Sequence, residues 1–204
     1  VRAITRQAHS KLSSDGREKA PFVLLWQDRQ GRSGRSLAQA VIDASGTWVR
    51  PNPIGLDGLP VEGEAENADC IAYGIPDVLG KDRDAHAGRH VLVIGAGHSA
   101  INAALDLMDL QEAEPDTRIT WATRSGGIAR LLGGGLNDEL PGRGHLGLRA
   151  AEAIRSHRID FRSPFAATRI ERRDGRLAVV GTAGETPVDL TVDRIIVATG
   201  FRPD

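Results

Sequence analysis

One cysteine, Cys70, stands in 204 residues. That rules out an intrachain disulfide, a Cys-x-x-Cys relay and a cysteine-built zinc site, and leaves a solvated or packed thiol. The 6 histidines are scattered without metal-ligand spacing, so neither a metal site nor a histidine general base is expected. A formal net charge of −1 supplies no basic field for nucleic acid or an anionic membrane. No apolar run is long enough to span a bilayer and the first residues carry no signal-peptide core, so a cytoplasmic protein is expected. What the chain does have is glycine, 24 in all against one tyrosine, the balance of a turn-rich α/β protein.

The most informative stretch is His90-Val91-Leu92-Val93-Ile94-Gly95-Ala96-Gly97-His98-Ser99-Ala100. Its apolar run reads as a strand buried on both faces. Ala100, Ala103, Ala104, Leu107, Met108 and Leu110 then recur at helical spacing. A strand, a tight turn and a helix around Gly-x-Gly-x-x-Ala form the context in which this pattern binds a dinucleotide. Gly95 turns the chain out of the strand, Gly97 leaves room for a pyrophosphate against the backbone, and Ala100 lets the helix lie close to the sheet. The helix's opening amides and positive dipole end would face the phosphates. Ser99 can cap that helix or meet a phosphate oxygen, and His98 fills a variable position of the pattern. A structural turn, or a different nucleotide-like ligand, is the competing reading.

Arg118–Thr123 reads as the second strand of this βαβ unit, ending in Arg124-Ser125 with no acid adjacent. An Asp or Glu at that place accepts hydrogen bonds from the ribose hydroxyls of NAD, whereas a guanidinium pairs a 2′-phosphate. Arg124 therefore points to NADPH over NADH, with Arg130 as a second candidate. Gly133–Pro141 reads equally as a glycine-hinged lid or an ordinary surface loop, and Leu146–Arg158 as a helix with Leu148, Ala151 and Ile154 on one face.

Short β-favouring runs separated by polar turns occupy both ends. Val1–Ala8, Phe22–Gln27 and Leu37–Ala44 form one predicted meander; Ala167–Arg172, Leu177–Gly181 and Val188–Val192 form the other, with Asp174-Gly175 as a hairpin signal. Each leads into a similar ending, Val41-Ile42-Asp43-Ala44-Ser45-Gly46 and Ile195-Ile196-Val197-Ala198-Thr199-Gly200. A duplication is the simplest explanation. Proline and glycine mark Arg50–Glu64 as a crossover.

These pieces, in this order, resemble the two-dinucleotide-binding-domain flavoproteins of the pyridine nucleotide-disulfide oxidoreductase fold, and within it the flavin-containing monooxygenase-like enzymes. The resemblance implies an α/β chain with a Rossmann-like NAD(P)-binding domain of parallel sheet and β-meander at 61–204. It implies the β-meander part of an FAD-binding domain at 1–60. With no second glycine fingerprint, the chain reads as an internal piece of such a protein or a truncated relative. The resemblance further implies FAD in the complete protein, Ser45 and Gly46 at the strand closing the flavin domain, and Ala198, Thr199 and Gly200 near the cofactors. Gly200 would let backbone approach a ligand closely. Without a redox dithiol in this sequence, monooxygenase-like hydride transfer from NADPH to flavin is the expected activity. An inactive isolated chain and a small-molecule substrate are expected with it, and homodimerisation stays open. A non-catalytic NADP(H)-binding or sensing module is the alternative; a methyltransferase fits less well, having no use for the doubled Ala-Ser/Thr-Gly ending.

Overall fold

Val91, Leu92, Val93 and Ile94 have no polar neighbour to turn toward water, and the fold buries all four. The computed structural model describes residues 1–10, 12, 14–44, 46–47, 49–125 and 141–202. They divide into two compact units, Val1–Gly46 and Thr47–Asp204.

In the first unit β1 (Ala3–Arg6), β2 (Phe22–Gln27) and β3 (Ser33–Ala38) form an antiparallel sheet in that order. The third strand starts earlier than Leu37, where its β-favouring composition placed it, and ends before Val41. The turn explains the shift. The Asp28 carboxylate accepts the amides of Gln30 and Arg32, both at 2.9 Å, and closes the hairpin tightly enough for pairing to resume at Ser33. Gly34, which precedes the expected strand, pairs with Trp26 within β3, and the Trp26 ring covers it; a Cβ there would sit 2.4 Å from that ring. Of the expected strand Leu37–Ala44, the stretch Val41–Ala44 forms no strand, and Ile42 is 92% exposed. A strand exists where neighbours take its amides and carbonyls, and none of the described residues forms a ladder with this run.

The second unit is built on five parallel strands in the order β4-β11-β5-β6-β7. They are β4 (Ile71–Tyr73), β5 (His90–Ile94), β6 (Arg118–Ala122), β7 (Asp160–Arg162) and β11 (Arg194–Val197). Edge strand β4, too short and mixed to show in the sequence, precedes the single helical turn α1 (Arg83–His86). The alternating faces of β5 explain the layers. Val91 and Val93 pack against helices α2 (His98–Ala113) and α3 (Pro141–Arg155), while Leu92 and Ile94 pack against the meander of β8 (Ala166–Arg173), β9 (Arg176–Ala183) and β10 (Thr186–Val192). A strand with a hydrophobic layer on each side has no polar face to show, which is why it reads as a continuous apolar run. On α3 Leu146, Ala150, Ala153 and Ile154 pack into the core shared with α2; of the expected face Ala151 and Ile154 are buried and Leu148 is half-buried.

The crossover stretch returns to the far end of the chain. The amide of Asn52 donates to the Gly200 carbonyl (2.9 Å) and that of Arg202 to the Arg50 carbonyl (2.8 Å), with Pro51 opposite Phe201. The Thr199 hydroxyl donates to the Asn52 carbonyl at 2.9 Å, which ties the end of β11 to this segment.

One ionisable group in the sheet couples stability to pH. His90, half-buried at the start of β5, has its ring Nε2 2.9 Å from the Thr120 hydroxyl, and its amide donates to Asp193 at 2.7 Å. Burial, with Arg118 and Arg176 nearby, holds the imidazole below its ordinary value of 6.5. Burial works to raise the Asp193 carboxyl, but the His90 amide and the Arg176 guanidinium outweigh it and hold that group low. A histidine depressed in the folded state binds its proton more readily when unfolded. Its contribution is therefore complete above pH 6.5 and is lost as the pH falls through the folded value. Thermal melts from pH 8 to 5 are expected to show a falling Tm that is shallower in His90→Gln; parallel curves would refute the coupling.

Candidate functional site

Strands β5 and β11 are neighbours, yet the chain leaves β5 toward β6 on one side and reaches β11 from the meander on the other. Open α/β sheets bind ligands outside the carboxyl ends of the strands where the order reverses in this way. A cleft of about 540 Å³ opens there, bounded by the ends of β5, β6 and β11, by Phe165–Ala167 at the start of β8 and by Ile54 and Leu56.

The floor is the turn from β5 into α2. Gly95 has φ +145°, and a Cβ on it would lie 2.3 Å from the Ala198 carbonyl oxygen, so both its backbone and its neighbour demand glycine. Ala100 is fully buried, and its methyl already lies 3.4 Å from where that Cβ would stand. Gly97 differs. Its backbone is extended, it is exposed, and an added Cβ would meet nothing within 4 Å. The fold itself does not require a glycine at this place. No side chain caps α2, so its opening amides are available to water or an anion.

Of the residues assigned from sequence, the structure brings Gly95, Ala96, Gly97, Ser99, Arg124, Ala198, Thr199 and Gly200 together around this one cleft. Ala100 lies beneath it as a spacer. His98, the first residue of α2, is exposed and does not line the cleft. Ser99 lines the cleft, and the capping role open to it is not used. Arg130, Ser45 and the loop 133–140 lie outside the described residues. Gly46 belongs to the first unit. Arg124 is exposed and is the one charged side chain among the described residues lining the cleft; its Nη1 reaches the Leu56 carbonyl at a long 3.4 Å. A cation so loosely held remains able to pair with an anion.

Sequence reasoning missed the supports of this site. Glu64 is buried and its carboxylate accepts the amides of Ile54 (3.2 Å) and Val61 (2.9 Å) and the hydroxyl of Tyr73 (2.5 Å). It holds both ends of the loop that carries Leu56. Burial, with the Glu64 carboxylate beside it, pushes the Tyr73 phenol up, so it remains a protonated donor. Only the position of Glu64 after a Pro- and Gly-rich segment marked it, and that signal does not distinguish it from a solvated acid. Trp121 is likewise fully buried, and its indole Nε1 donates to the Gly95 carbonyl at 2.8 Å. No group of three or more His, Cys, Asp or Glu among the described residues is placed to hold a metal, and no helix among them is long and apolar enough to cross a membrane.

A glycine turn at the switch point of a parallel sheet, with an uncapped helix and a cation across from it, defines the class of dinucleotide-binding α/β proteins. Residues 5–204 match the model of the pyridine nucleotide-disulphide oxidoreductase family, and the chain belongs to that family, whose fold is that of FAD-dependent oxidoreductases. Solved structures agree on the fold. Bacillithiol disulfide reductase from Bacillus cereus superposes with a TM-score of 0.62 at 19% identity over 90% of this chain and 47% of its own. The ornithine N-hydroxylase of Kutzneria sp. 744 gives 0.62 at 17% identity over 99% and 53%. The ornithine hydroxylase of Pseudomonas aeruginosa gives 0.60 at 14% over 98% and 53%. The chain thus spans about half the length of the structures it matches. No curated protein matches it by sequence.

Proposed function

We propose that this chain binds NADP(H) in the cleft and is the nicotinamide-cofactor portion of an FAD-dependent, monooxygenase-like oxidoreductase acting on a small molecule. The observation that carries the reading is Gly97, a glycine that the protein's own packing does not need, set at the mouth of an uncapped helix. The amides opening α2 would take the pyrophosphate and the Arg124 guanidinium the 2′-phosphate. Ala198–Gly200 would face the nicotinamide end, where Gly200 lets backbone come close.

When bound, the cofactor supplies the hydride, and the protein's share is to bind, orient and exclude water. Ile54, Leu56 and Phe165 give the cleft apolar walls for that purpose. The Kutzneria structure is described with FADred, NADP+ and L-orn, a cofactor set that supports NADP(H) here and FAD in the complete protein. The test is calorimetric titration of the folded chain with NADP+ and NAD+. NADP+ is expected to bind below millimolar concentration and more tightly than NAD+; a chain that is folded by circular dichroism yet binds neither overturns the reading.

A further inference from the structure

Trp121 is a fully buried residue of β6 whose only polar side-chain atom is the indole Nε1, and that atom is hydrogen-bonded to the first glycine of the turn. Its ring is fixed from another side by Phe161, edge to face at 5.7 Å between centroids and 82° between planes. The acceptor, the Gly95 carbonyl, belongs to a trans peptide whose other half is the Ala96 amide. In a trans peptide the C=O and the following N–H point in opposite directions. Fixing the oxygen therefore fixes the hydrogen.

We infer that Trp121 is a positioning residue for the dinucleotide, holding the Gly95 carbonyl oxygen toward the core so that the turn offers amide hydrogens, and no carbonyl oxygen, to the pyrophosphate. The inference rests on the NADP(H) reading above and adds to it the group that sets the turn's polarity. The need for such a group follows from the glycines. With glycine at 95 and 97 the two peptides between them are among the least sterically restrained in the unit, and a peptide flip at 95–96 would present an oxygen dipole to a ligand that already carries negative charge. The other anchor of the turn, the Gly95 amide bonded to the Ala122 carbonyl at 3.1 Å, holds the preceding peptide and leaves this one free to rotate. Among the described residues it is the indole that donates to this carbonyl. Trp121 thus acts through Gly95 and Ala96 without lining the cleft itself.

The test compares two probes on Trp121→Phe, which keeps an aromatic ring against Phe161 and removes the N–H. NADP+ carries the pyrophosphate; 2′-AMP carries the adenosine and the 2′-phosphate without it. The variant is expected to lose about tenfold in NADP+ affinity, the effect of one hydrogen bond to a charged group, with 2′-AMP affinity unchanged. Equal losses for both probes would mean that Trp121 only supports the fold, and no loss for either would mean that the carbonyl needs no anchor; both overturn the inference. Failure of the wild-type chain to bind either probe would instead overturn the NADP(H) reading on which it rests. Should Trp121→Phe not fold, the indole N–H resonance of Trp121 in the unaltered protein gives the answer. It is expected to shift on addition of NADP+ and not of 2′-AMP, and identical responses to the two probes refute the proposal.

Discussion

Gly97→Ser is expected to lower NADP+ affinity by at least about tenfold while leaving the Tm unchanged or slightly higher, whereas Gly95→Ala is expected to lower the Tm by roughly 6–12 °C. The two glycines stand two residues apart in one motif, and the structure gives them opposite reasons. At 95 a methyl would have to adopt φ +145° and lie 2.3 Å from backbone oxygen. Neither the strain nor the overlap can be relieved without moving β11, and together they cost roughly 3 kcal/mol. At 97 the backbone is extended and the space around a Cβ is empty, so the fold tolerates a side chain. Serine is moreover a favoured residue at the start of a helix, worth a few tenths of a kcal/mol over glycine. The same hydroxyl that caps α2 occupies the amides a pyrophosphate would use. Protein stability and ligand affinity should therefore move in different directions. Paired thermal melts and NADP+ titrations decide it: a Gly97→Ser chain that binds NADP+ as the unaltered one does would show that no phosphate lies on that turn.

Arg124→Ala is expected to cost ~10–100-fold in NADP+ affinity and to leave NAD+ affinity within about twofold, the range set by losing a charge-assisted pair with a phosphate. The reasoning is electrostatic and local. Arg124 stands just beyond the end of β6, no carboxylate lines the described cleft, and its bond to the Leu56 carbonyl is long. Arg124→Asp should reverse the preference, since a carboxylate repels the 2′-phosphate and accepts from free ribose hydroxyls. Because the guanidinium is exposed, the NADP+ advantage should also shrink between 0.05 and about 0.5 M salt, as the Debye length contracts. Equal losses for both nucleotides in Arg124→Ala would remove Arg124 from the 2′ site.

The parts of the fold that were legible are those where local chemistry and tertiary demand agree. Val91–Ile94 could only be a strand covered on both sides, and the small and apolar positions of α2 from Ala100 to Leu110 could only face inward; all of them are buried. Where a single side chain decided the outcome, composition misled. Asp28 and Trp26 together set the start of β3, and neither is visible as a strand signal. The Val41–Ala44 run shows the converse, a β-favouring stretch that no described strand pairs with.

The site divides in the same way. Sequence by itself located the glycine turn, the helix that follows and the cation after β6, because these stand at short, countable spacing along the chain, while the Ala-Thr-Gly at 198–200 was marked by the family resemblance. Tertiary structure alone decided that β11 lies beside β5, so that segments a hundred residues apart share one cleft, and that Glu64 and Trp121 hold its loop and its turn. Such partners are chosen by distance in space; a hydrogen bond across a sheet leaves no period and no spacing in the chain by which it could be read.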